Sequence, residues 1–139
     1  MATAPGPTRL LVAVSVAALA ATVVVHVLFF PRYFPEEFTR GLPVLAAGWV
    51  SYLLFFYTLG RLRPSTDRMP NMRAADIGVG LFLFAIVLSG LLDSAGLTLE
   101  ATPSAHLLSV AGVYVGLALA GWGFGTRTRM INRIAAETD

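Results

Sequence analysis

Four stretches of the chain are apolar over about the length a bilayer demands, and short polar connections separate them. A hydrocarbon core of about 30 Å takes about 20 helical residues at 1.5 Å each. The first stretch, 10–30, carries no Asp, Glu, Lys or Arg and stops at Pro31. The second, 42–60, is entered through Pro43, which suits the first turn of a helix. The third, 77–97, follows Asp76 as N-cap. The fourth, 105–125, follows Thr102-Pro103, a cap-then-proline start. None has the polar face that a soluble amphipathic helix would show. The pattern predicts an all-α integral membrane protein, an antiparallel four-transmembrane-helix bundle forming one domain. Residues 1–8 are expected to be a flexible tail, and 126–139 a C-terminal tail. In that second tail Met130, Ile131 and Ile134 fall on one side. This fits either a short helix on the membrane surface or an extension of the fourth span.

The first stretch also has features of a cleaved signal peptide: a basic residue, an apolar run and the small-x-small sequence Ala18-Leu19-Ala20. Its apolar run continues unbroken to Phe30, longer than the 7–15 residues of a signal core. A retained helix is therefore expected. The second and fourth spans end alike, as Gly60-Arg61-Leu62-Arg63 and Gly125-Thr126-Arg127-Thr128-Arg129. The helix bodies match poorly, so arginine placement explains this echo better than duplication does.

Composition narrows the classes. Charged residues make up 13% of the 139 and hydrophobic residues 56%, with a mean hydropathy of +0.72. Soluble domains carry about twice that share of charge, and a chain this short has too little interior to hide so much apolar surface. A soluble enzyme and a disordered chain are both excluded. The absence of cysteine excludes disulfides, thiolate metal sites, iron–sulfur clusters and covalently attached haem.

All ten basic residues are arginines, and their placement sets an orientation. Arg9, Arg61, Arg63, Arg68, Arg73, Arg127, Arg129 and Arg133 fall on one side of a four-span chain, Arg32 and Arg40 on the other. The positive-inside rule places the richer side, with both termini, in the cytoplasm of a cell-membrane protein. The loop Arg61–Ala75, interrupted by Pro64 and Pro70, is expected to be mobile. Its arginines are explained by topology and are too few for a nucleic-acid footprint, so no nucleic-acid partner is expected. Trp122 and Tyr57 read as interfacial anchors, and Trp49 as packing.

Helices associate in lipid through small residues and polar side chains. Each span offers such a stripe: Ser15, Thr22 and His26; Ala47, Ser51 and Thr58; Gly78, Ala85, Ser89 and Asp93; and His106, Ser109, Gly112, Gly116 and Ala120. Leu53, Leu54, Phe56, Phe82 and Phe84 are expected to meet lipid. The helix-packing run Gly112, Gly116, Ala120 serves either the bundle interior or a homo-oligomer or larger membrane complex.

Ionisable groups within spans are costly, and each merits a hypothesis. Three qualify: His26, Asp93 and His106. At 1.5 Å per residue they lie about 24, 24 and 28 Å from the cytoplasmic ends of their helices. One level beneath the outer surface is expected for all three. The two histidines could ligate a haem b iron axially, or Asp93 could orient one of them toward a quinone or a moving proton. Histidine plus one carboxylate is only a minimal metal-ligand set, and no metal site is assigned. Near a helix end, such residues can equally be structural. No catalytic residue emerges. These features favour a small multi-pass protein acting as a non-catalytic subunit, assembly or accessory component of a membrane complex. A haem b- or quinone-binding electron-transfer anchor using His26 and His106 is the alternative. A small homodimeric transporter or channel comes last, because no charge lies at the midplane.

Overall fold

The computed structural model describes residues 6–34, 36–63 and 72–138. Residues 1–5 of the expected flexible tail and 64–71 of the expected mobile loop lie outside the described residues. Four helices are long and apolar enough to cross a membrane, and no strand occurs among the described residues.

The first helix, α1, runs Pro7–Val24 and continues as a π-helical turn, Val25–Phe29, and a 3-10 turn, Phe30–Arg32. Pro31 has no N–H, and its ring crowds the carbonyl four residues back. Just before it the winding widens, with the Phe30 N–H bonded to the Val25 carbonyl. The second helix, α2, covers Phe38–Leu62. It starts earlier than the expected 42, so Pro43 lies inside the helix and not in its opening turn. A cluster of rings accompanies this early start: Phe30, Phe34 and Phe38 lie 5.7–6.5 Å apart, Phe38 edge-on to the other two, and the Glu37 N–H reaches the Tyr33 carbonyl.

The third helix, α3, spans Arg73–Ser94. Asp76 is therefore inside its first turn, where a carboxylate suits the helix dipole, and is not the cap. Gly96, at φ +86°, ends α3. The Gly96 N–H bonds the Asp93 carbonyl and the Leu97 N–H the Leu92 carbonyl, a Schellman closure that glycine adopts without strain. After a 3-10 turn at Pro103–His106, the fourth helix, α4, runs unbroken over Leu107–Thr138. Its 32 residues extend about 48 Å, so the C-terminal residues extend the fourth span and form no separate surface helix.

Backbones pack α1 on α2, α2 on α4, and α4 on α3. Neither α1 and α3 nor α2 and α3 meet backbone to backbone. The contacts 22 with 51 and 26 with 48 make α1 and α2 antiparallel. Those of 75 with 123, 78 with 116, and 85 with 112 do the same for α3 and α4. The central pair, α2 and α4, is parallel: 52 meets 114, 57 meets 121, and 60 meets 125. Glycines make this pair close. A Cβ on Gly121 would come 2.5 Å from the Leu53 carbonyl oxygen, and one on Gly125 would overlap the Tyr57 carbonyl.

On the other side of α4, Gly112, Gly116 and Ala120 face α3. A Cβ on Gly116 would lie 2.7 Å from the Phe82 nitrogen, and one on Gly78 would overlap the Ala120 nitrogen. The small-residue run is thus occupied within the chain. Ala85, Val113 and Leu117 form the core, with Trp49, Tyr52, Leu53, Phe82 and Tyr114 packed against it. Leu53 and Phe82 are partly buried against this core, against expectation, where Gly121 and Gly116 bring α4 onto their backbones; Phe84 is exposed, as expected.

Candidate functional site

The three ionisable residues fall into two clusters. His106 ends the 3-10 turn ahead of α4 and is fully buried. Its Nε2 lies 2.6 Å from the Leu97 carbonyl oxygen, which can only accept, so Nε2 carries the proton. Its Nδ1 is then the acceptor, 2.9 Å from the Ser89 hydroxyl, which donates. Asp93 Oδ1 stands 3.6 Å from Nε2, with its side chain half exposed. One imidazole thus ties the end of α3, the chain beyond its closure and the start of α4 into one knot. Both ring nitrogens are engaged.

His26 has different neighbours. It lies in the π-helical turn, and its Nδ1 donates to the Thr22 carbonyl at 2.8 Å. The remaining Nε2 lone pair accepts the Tyr114 hydroxyl at 2.5 Å. The Tyr114 ring meets the imidazole edge-on, 5.5 Å between centroids, and meets Tyr52 at 5.2 Å. The indole N–H of Trp49 is buried without a hydrogen-bond partner, and its ring meets Phe82 edge-on, 5.7 Å between centroids. Gly48 makes the space: a Cβ there would stand 2.6 Å from His26 Cε1. Beside the ring, the Thr22 and Ser51 oxygens are 3.1 Å apart and link α1 to α2.

Tyr114 follows His106 by eight residues on the same helix, about 12 Å along its axis. The structure therefore joins Asp93 to His106 and sets His26 two turns deeper, with Tyr114. The single meeting point expected from residue counting does not form, because His26 packs against Gly48 and Tyr114 while His106 packs against Ser89, Leu97 and Asp93. A bis-histidine iron would need a free lone pair from each ring directed into one space. Here one lone pair is held by Ser89 and the other by Tyr114. Among the described residues, no three His, Cys, Asp or Glu side chains gather as a metal site.

Sequence reasoning missed Tyr114 and Gly48 as partners of His26. The available signal was a polar-tipped aromatic in the middle of a span, away from the interfaces where tyrosine normally lies. Comparison with protein families, with curated proteins and with solved structures finds no match.

Proposed function

We propose that this chain is a non-catalytic helical component of a membrane complex, with both termini in the cytoplasm. The observation that carries the reading is the way the helices associate. The outer two, α1 and α3, each pack their backbones against a single neighbour. Each leaves a long apolar flank uncovered, as at Val16, Val23 and Val27 on α1 and Leu83, Val87 and Leu91 on α3. Both histidines make hydrogen bonds that fasten one helix to another, which is a structural use of a costly side chain. Arginine asymmetry supports the orientation.

Photo-crosslinking in native membranes tests the reading. With a photoreactive residue at Val16 or Val23 and, separately, at Leu83 or Val87, at least one flank is expected to crosslink to another polypeptide. Lipid adducts alone from all four positions would refute a role within a complex.

A further inference from the structure

We propose that Arg61 and Arg63, at the arginine-rich end of the α2–α4 pair, form a binding site for the phosphate headgroup of an anionic phospholipid. The two helices touch through backbone here. A Cβ on Gly60 would stand 2.6 Å from the Trp122 carbonyl oxygen and 3.0 Å from the Thr126 nitrogen. That contact fixes the arginines of α2 against the aromatic residues of the pair. The Arg63 guanidinium lies 5.3 Å from the Trp122 ring centre, and that of Arg61 lies 6.0 Å from the Tyr57 ring centre. Tryptophan and tyrosine with arginine are the side chains that settle at headgroup level.

Arg129 reaches across from α4 to the carbonyls of Arg61 and Arg63, closing the C-terminal end of α2. Ion pairs among the described residues include Arg40–Glu37, His106–Asp93 and Arg133–Glu137, and there neither Arg61 nor Arg63 is paired with a carboxylate. The Arg61 Nε is buried without a hydrogen-bond partner. A guanidinium fork matches the oxygens of a phosphodiester, and each of these two is seated on an aromatic ring of the pair.

A lipid fits better than a soluble phosphate because of what leads to the site. Val50, Leu54, Tyr57 and Arg61 follow one another at i, i+4, i+7 and i+11, the spacing of one helix face. Val50 is 69% exposed and Leu54 37%. An acyl chain can therefore lie along the apolar part of this face with its phosphate at Arg61.

Trp122 supplies the readout. In the full chain with Trp49→Phe, it is the only tryptophan. The protein is placed in phosphatidylcholine vesicles containing phosphatidylglycerol or phosphatidylcholine brominated near the headgroup end of its acyl chains. Phosphatidylglycerol is expected to quench Trp122 at a mole fraction lower by about fivefold to thirtyfold, the preference that one or two arginines near a membrane surface supply. Arg61→Gln with Arg63→Gln is expected to abolish the preference, and Arg32→Gln with Arg40→Gln, at the opposite end, to leave it intact. Equal quenching by the two lipids with the arginines in place would overturn the proposal without relying on any arginine variant. So would a preference that survives loss of Arg61 and Arg63, or one lost equally with Arg32 and Arg40. Millimolar inorganic phosphate, at constant ionic strength, is expected not to relieve the quenching; relief would transfer the site to a soluble anion and overturn the lipid assignment.

Discussion

Replacing His106 by alanine removes a side chain that is 0% exposed and holds two hydrogen bonds, 2.9 Å to Ser89 and 2.6 Å to Leu97. Hydrogen bonds between membrane helices average about 0.6 kcal/mol and reach about 1.7, so the pair accounts for about 1–3 kcal/mol. Truncating a buried side chain of this size to alanine removes about 2 kcal/mol of packing or more. His106→Ala should therefore lower stability by about 3–5 kcal/mol, comparable with the whole stability of a marginal domain. Ser89→Ala should lose only one bond, about 0.6–1.7 kcal/mol. Asp93→Asn should change stability by less than about 1 kcal/mol, because that carboxylate is half exposed and at the rim of ion-pair distance. Reversible unfolding of the micelle-bound protein by dodecyl sulfate, followed by far-UV circular dichroism, orders the three variants. A loss below about 1 kcal/mol for His106→Ala would refute the knot as the element fastening α3 to α4.

Other expectations concern the remaining contacts. The 15N shifts of His26 should report the Nδ1-protonated tautomer, and Tyr114→Phe should move the Nε2 resonance while costing about 0.6 kcal/mol; an Nε2-protonated ring in the unaltered chain would contradict the assigned hydrogen bonds. Glycines should divide by location. Gly78→Ala and Gly125→Ala, where a Cβ meets opposing backbone, should each destabilise by about 1–3 kcal/mol. Gly80→Ala and Gly90→Ala, with nothing within 4 Å, should stabilise by up to about 1 kcal/mol. The same unfolding titration reads all four. Reporter fusions after Asp139 and within the loop 64–71 should both read cytoplasmic, and disagreement between the two would overturn the four-span topology.

The glycines show how much of the packing was legible. Their recurrence along α4 was visible as a small-residue stripe, and Gly112, Gly116 and Ala120 do mark a close helix approach. Which helix approaches was not visible. Gly112, Gly116 and Gly123 face α3, whereas Gly121 and Gly125, on another side of α4, face α2. Phe82 and Leu53 looked like lipid-facing residues because bulk in a membrane helix normally points outward. Close backbone approach at Gly121 and Gly116 draws both partly inside, and only the facing helix reveals it. His106 with Asp93 was readable because both lie near the ends of one short hairpin, α3–α4. His26 was misplaced because its position was counted along its own helix, without the α2 and α4 partners that receive it.

The sequence by itself determined that there are four helices long and apolar enough to cross a membrane. Those are local properties: every span must match the bilayer in length and apolar character whatever its neighbours do. The tertiary structure decided which helices touch and which polar groups meet. The pairing of α2 with α4, the Tyr114–His26 bond and the seating of Arg63 over Trp122 depend on the rotation, tilt and register of one helix against another. Lipid is as apolar as the side chains that face it, so hydrophobicity sets no preferred face. Backbone approach at glycine and the need of each buried polar group for a partner make that choice.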